Sequence, residues 1–278
     1  MKNVFFYNYL VFMFIISGCS ESSNDLIKNK IKGKVNKITE SRYSATEKFG
    51  ELKKEKQESL TISTYNTKGY IIEKFEKGFN GFDDETRIYE YKNNKLLKIN
   101  VLDQNKKTKQ TYIYDYNENG RLIKWRNILS DNEILQYETY SYDEKGFLIE
   151  STSYKKDGSI SSKSKLTNDF NGNCIERKFY EYDAVFETHK QKYDSKNNLI
   201  EREIEMYNNL ISKTTYKYNN DKLVEEVSLP TLYSPESSSS KYEYLNFDKK
   251  NNWTVKTIRR IYGKEHIFEI IEREYLYF

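Results

Sequence analysis

Tyr114-Asp115-Tyr116-Asn117-Glu118-Asn119-Gly120-Arg121-Leu122-Ile123 is the stretch on which the fold turns. Two aromatic residues separated by one polar residue lie on the same face of a strand, because strand side chains alternate with period two. Asn117 to Gly120 then reads as a turn. An Asx side chain can bond backbone groups just ahead of it, and glycine tolerates the positive φ that closes such a turn. Leu122 and Ile123 start the next strand. Ten residues therefore encode the end of one strand, a reversal and the start of its antiparallel partner.

The same pattern recurs in residues 65–72, 89–97, 140–149, 170–175, 193–200 and 216–224, with a degenerate copy at 247–253. The aromatic residues before these turns stand at 65, 91, 116, 142, 170, 193, 218 and 247. A period near 25 holds two strands and two turns, so the chain is repetitive before it is anything else. The second turn of each unit falls midway, at Asp103-Gln104-Asn105, Ser130-Asp131-Asn132, Lys156-Asp157-Gly158, Tyr207-Asn208-Asn209 and Gly263-Lys264. Residues 31–43 and 58–65 read as an opening hairpin around Phe49-Gly50, residues 20–30 as a polar tether, and residues 233–240 as a long loop. The expectation is an all-β chain, a repetitive antiparallel meander of about sixteen strands over residues 31–278. An open sheet rarely exceeds about 10 strands without curling, so the meander is expected to form one long, twisted, coiled sheet. Its Tyr-rich face would stack through cross-strand pairs and its other face would stay wet.

Tyr-Asp-Tyr-Asn-Glu-Asn-Gly-Arg-Leu at 114–122 and Tyr-Ser-Tyr-Asp-Glu-Lys-Gly-Phe-Leu at 140–148 resemble the YD-repeat, or rearrangement-hotspot repeat, family. Looser copies cover residues 60–260. The resemblance implies meandering hairpins that spiral into sheets. In very long chains such repeats form hollow shells around a toxin, and this chain is too short for a closed shell of that kind. By the same resemblance the chain looks like a small repeat lipoprotein with a non-catalytic scaffold. Fold-level likeness of this sort is nearly silent on function.

The N-terminus carries an address. Lys2 precedes an apolar run from Val4 to Ile16, broken only by Asn8. That run is shorter than the ~20 residues of a transmembrane helix and fits the core of a secretory signal. Ile16-Ser17-Gly18-Cys19 resembles a bacterial lipobox. The resemblance implies cleavage between Gly18 and Cys19, removal of residues 1–18, and acylation of the Cys19 thiol at the head of a 19–30 tether. Two or more acyl chains give stable anchoring. Ser20, where aspartate would imply inner-membrane retention, favours the outer membrane or cell surface.

The composition contains little chemistry. Without residues 1–18 the charges are 45 basic against 42 acidic. Such a balance excludes strong nucleic-acid steering. Cys174 is left without a partner once Cys19 is acylated, so no intrachain disulfide forms. His189 and His266 read as strand surface residues without metal spacing. Asp115-x-Asn117-x-Asn119-Gly120 opens like a calcium loop, but its twelfth position is Arg126 rather than a bidentate carboxylate. No cofactor, metal site or catalytic residue is expected. Trp125 and Trp253 are the candidate sugar-stacking residues. The expected function is a membrane-anchored interaction scaffold, with a carbohydrate-binding module and a toxin-neutralising immunity lipoprotein as alternatives.

Overall fold

Each marked turn folds as its residues require. In the 117–121 turn, the Asn117 N–H donates to the Arg121 carbonyl and the Gly120 N–H to the Asn117 carbonyl. The Asn117 side-chain oxygen accepts from the Arg121 N–H at 2.9 Å. Asp143, Asp169, Asp194 and Asp248 repeat the side-chain bond at 2.8–2.9 Å. Gly120 closes its turn at φ +78°, and Asn197 and Asn251 hold the same place at φ 63°.

The computed structural model describes residues 24–79, 82–231 and 236–278. A short helix, α1 (Asp25–Lys28), precedes the long strands β1 (Val35–Lys48) and β2 (Glu51–Tyr65). Then follow β3 (Ile71–Glu76), β4 (Glu85–Lys92), β5 (Lys95–Leu102), β6 (Thr108–Tyr116), β7 (Leu122–Leu129), β8 (Ile134–Tyr142) and β9 (Leu148–Lys155). The second half runs through β10 (Ile160–Asn168), β11 (Cys174–Glu181), β12 (Ala184–Tyr193), β13 (Leu199–Met206) and β14 (Asn209–Asn219). It ends with β15 (Lys222–Leu229), β16 (Ser238–Phe247), β17 (Trp253–Tyr262) and β18 (Glu265–Tyr277). Every strand is antiparallel to its sequence neighbours, as the hairpin reading requires.

The coiled open sheet is overturned by one ladder. β1 pairs with β2 along one side and with β18 along the other, in a register running from Val35↔Tyr277 to Ala45↔Phe268. The 18 strands therefore form a closed up-and-down barrel. Closure has a simple physical reason: an open meander leaves two rows of unpaired backbone groups, and only a barrel removes both edges. β1 and β18 are 14 and 13 residues long, longer than the eight-residue strands that recur through the repeats, and pair at ten positions.

A bulge follows each repeat turn, for example at Tyr116↔Leu122 and Tyr142↔Leu148. A bulge disrupts the ladder locally. The next pre-turn tyrosine reaches back to that level. Tyr116 donates its hydroxyl to the Leu96 carbonyl at 2.8 Å, Tyr142 to Leu122 at 2.7 Å and Tyr193 to Cys174 at 3.2 Å. Asn168 does the same with its amide, to Leu148 at 2.8 Å. The recurring aromatic is thus a hydrogen-bond clamp between successive hairpins as well as a ladder residue.

Candidate functional site

Register assigns the two faces of the wall. Tyr112, Tyr114 and Tyr116 share a face with Trp125 and Asn127 across the β6–β7 ladder. Tyr140 shares it with Ser151 and then Ser164 across β8–β9–β10. Asn127, Ser151, Ser164, Ile99, Val101, Ile258 and Ile271 are buried on this side. It is the inner face of the barrel. Burial raises its phenols: Tyr89, Tyr116, Tyr142, Tyr193 and Tyr242 are pushed up to about 12. Tyr140 is pushed higher still, first by burial and then by the Glu138 carboxylate.

The outer face is charged throughout its height. Lys190 pairs with Glu205 at 2.6 Å, Lys192 with Glu201 at 2.7 Å, Lys213 with Glu203 at 2.6 Å and Lys217 with Glu225 at 2.5 Å. Lys163–Glu150 and Arg126–Asp115 continue the belt at 3.1 and 3.0 Å. The Lys192 and Lys217 side chains are 69% and 71% exposed, so these groups stand in water. A lipid-facing barrel wall instead needs an apolar band about 25 Å tall, and each lysine at its midplane costs about 2–4 kcal/mol. Lipid is the wrong solvent for this wall.

Eighteen strands set about 4.8 Å apart enclose a ring roughly 30 Å across at the backbone, the size class that leaves a water-filled interior. The aromatic contacts of the inner wall stay within it. Tyr112 meets Trp125 at 5.9 Å, Phe179 meets His189 at 5.0 Å and Tyr244 meets Trp253 at 5.8 Å. The tyrosine face therefore lines a lumen and does not pack against a second layer.

Both sequence-predicted tryptophans are on this inner wall, near opposite sides of the ring, and the structure does not bring them together. Trp125 donates its indole N–H to Glu138 at 3.0 Å, and Tyr140 donates to the same carboxylate oxygen at 3.0 Å. Trp253 stands beside two cations. The Arg273 guanidinium lies 3.9 Å from its ring centroid and the Lys256 ammonium 5.0 Å away. Glu138, Lys256 and Arg273 carry no motif, and the sequence reading passed over them. Their period-two offset from Tyr140, Ile258 and Tyr275 is the signal that places them on the aromatic face. His189, expected on the surface, is on the inner face. It contacts Glu187 at 2.5 Å. Cys174 is a half-buried strand residue, and burial pushes its thiol up.

The expected polar tether is structured from Asn24 onward and lies across one mouth of the barrel. Asn24 caps α1, accepting from the Ile27 N–H at 2.9 Å, and donates to the Lys68 carbonyl at 2.8 Å. Asp25 accepts from the Ile71 N–H at 2.8 Å and from the Tyr91 hydroxyl at 3.3 Å. Leu26 is buried with Val35, Ile38 and Tyr65. Lys30 reaches the Asp221 carbonyl at 3.1 Å, and the Lys32 backbone exchanges bonds with Asn252 at 2.7 and 2.8 Å. Composition hid this strap because one leucine supplies most of its burial. Gly18 and Cys19 lie outside the described residues. Among the described residues no group of three or more His, Cys, Asp or Glu side chains is placed to hold a metal ion. The Asp115–Gly120 stretch is a hairpin turn, and Asp115 faces outward to Arg126.

No family model and no curated protein matches the chain. Among solved structures it is similar to a porin-like protein from Bacteroides uniformis ATCC 8492, at 11% identity and a TM-score of 0.47, over 87% of this chain and 98% of that one. A porin-like protein from Bacteroides vulgatus ATCC 8482 gives 15% identity and a TM-score of 0.40, over 88% and 99%. A structure described as TcdB2-TccC3-Cdc42 gives 12% and 0.39, over 81% of this chain and 15% of that one. At such scores the architecture rests on the strand pairing of the chain itself. That pairing corrects the YD-repeat assignment and, with it, the picture of a repeat-scaffold lipoprotein: the described residues form a closed all-β barrel of 18 antiparallel strands.

Proposed function

We propose that the protein is a non-catalytic binding barrel, held at a membrane surface by an acylated Cys19, whose open lumen takes up a saccharide. The observation that carries the reading is the contrast between the two faces of one wall. A water-facing, ion-paired exterior argues against insertion, so an anchor at Cys19 is the route to a membrane that the chain offers. An interior of tyrosines with Trp125 and Trp253 offers flat apolar rings beside hydrogen-bonding groups, the combination that suits a sugar ring. Trp125 is the better stacking residue, because a guanidinium already lies against Trp253. By the lipobox resemblance the envelope compartment is the outer membrane or cell surface.

Two measurements test this. Labelled palmitate is expected in the native chain and absent from Cys19→Ser, which should be released in water without detergent; a Cys19→Ser chain still needing detergent refutes the anchor. Both tryptophans line the lumen, so neutral oligosaccharides should quench their fluorescence. Trp125→Ala should weaken that binding about tenfold or more, in line with loss of ~1.5 kcal/mol of ring contact. A glycan panel without any quenching refutes the lumen reading.

A further inference from the structure

One group of charges on the inner wall gathers four cations close together. Arg42 on β1, Lys256 and Arg260 on β17, and Arg273 on β18 face the lumen together, by the registers Arg42↔Ile271, Glu40↔Arg273 and Lys256↔Ile271. Two carboxylates share that patch. Glu40 accepts from the Arg273 Nε at 2.6 Å, while Glu269 pairs with Arg260 and lies 3.5 Å from Arg42. Four cations face these two anions, and a third carboxylate, Glu226, stands beyond Tyr242, whose hydroxyl donates to it at 3.0 Å. Among the described residues Lys256 has no carboxylate partner. Its ammonium instead lies over aromatic rings, 5.0 Å from the Trp253 centroid, 5.9 Å from Tyr244 and 6.0 Å from Tyr242. Burial pushes the Lys256 ammonium down, Arg273 and Arg42 push it further, and the more distant Glu40 and Glu269 offset part of this.

A half-buried cation beside other cations is costly unless an anion joins it. Serving the fold would be better done by an uncharged side chain here, since a buried ionic group often gives way to an apolar one without loss of stability. On the outer wall Lys190, Lys192, Lys213 and Lys217 each have a glutamate, and Lys124 and Lys165 lie over the Tyr137 and Tyr180 rings in contact with water. Lys256 differs from them in being half-buried on the face that a ligand would occupy, beside one of the two lumen tryptophans.

We propose that Lys256, with Arg42 and Arg273 beside it and Trp253 and Tyr244 as its apolar floor, is an anion-recognition site for a saccharide that bears a carboxylate or phosphate group. The site deepens the lumen reading and rests on it. Lys256 supplies the uncommitted charge. Arg273 and Arg42 are oriented by Glu40 and Glu269 and add to the positive field. Partial burial of the Lys256 ammonium strengthens its attraction for an anion relative to a fully exposed lysine.

The test is a fluorescence titration of the intact barrel with three probes: an oligogalacturonate, a neutral oligosaccharide of equal length, and inorganic phosphate. The acidic oligosaccharide should bind at least tenfold more tightly than the neutral one at low salt, and its advantage should shrink as salt rises. Phosphate should compete with the acidic probe. Lys256→Gln should bring acidic and neutral binding within about threefold and abolish phosphate competition. Lys217→Gln, on the outer wall, should change neither. Circular dichroism should show both variants folded, because Lys256→Gln removes repulsion and no ion pair. Equal binding of the acidic and neutral probes overturns the anion site and leaves the lumen reading standing. An acidic preference that survives Lys256→Gln also overturns it, and failure of every saccharide to bind overturns both.

Discussion

At the residue scale, the recurring tyrosine is the unit that explains most of the sequence. Its ring covers the inner wall and its hydroxyl satisfies a backbone carbonyl of the preceding hairpin at the level of the bulge. Tyr142→Phe keeps the ring and removes the bond to Leu122. The expected cost is about 1–2 kcal/mol, because the carbonyl is left unpaired in a half-buried place. Tyr137 is the control. It is on the outer face, stacked on Tyr154 with ring centroids 4.5 Å apart, and Tyr137→Phe should cost little. Urea unfolding midpoints of the two variants measure the difference. The tyrosine alternation was legible in the sequence as a strand face. Its clamp was not, because the partner carbonyl lies about 20 residues upstream and is created by a bulge that no side chain announces.

At the element scale, the hairpins were readable and their packing was not. The Asx-x-x-Gly turns form where the sequence placed them, as do the midway turns at 103–106, 130–132 and 156–158. Tyr182-Asp183 escaped notice, since a tyrosine at φ 48° is a poor turn signal. Glycines that look equivalent in the sequence differ in their surroundings. Gly158 and Gly172 have nearly the same φ, +82° and +84°. A Cβ on Gly158 meets open space, whereas one on Gly172 runs into the Phe147 ring from the preceding repeat turn. Gly158→Ala should cost about 1 kcal/mol, from backbone strain alone. Gly172→Ala should cost clearly more, about 2–3 kcal/mol, once the ring is displaced. Thermal unfolding of the pair checks the order. A larger loss at Gly158 would refute the tiling of turn upon turn around the mouth.

At the scale of the whole molecule, the barrel could not be read from the repeat because the repeat does not encode it. Closure depends on β1 and β18, which lie outside the regular units and pair across more than 200 residues of sequence. The proposed lumen site was hidden for the same reason: Glu40 and Arg42 on β1 reach Lys256 and Arg273 only after the ring is shut. Closure also sets how the protein answers to alkali. Tyr89, Tyr116, Tyr142, Tyr193 and Tyr242 are held neutral up to about 12, against about 10 in the unfolded chain. A raised folded pKa means that the native state keeps protons the unfolded state has lost. Their contribution is therefore intact below pH 10 and is lost as the pH climbs from 10 towards 12. Ultraviolet difference absorbance of the phenolates and far-ultraviolet circular dichroism should change together in that window. Phenolate formation centred near pH 10 with the barrel still folded would refute the buried setting of these rings.

The turn-bulge-clamp unit has a further consequence. Each copy bonds mainly to the copy on either side, and only the terminal strands fasten the ring. Girth is then a matter of counting. Duplicating one 25-residue copy would insert two strands and widen the ring by about 3 Å, without disturbing any existing register. Loss of one copy would narrow it by the same step. Gain or loss of whole copies would therefore reset the width of the lumen while the fastening strands stay unchanged.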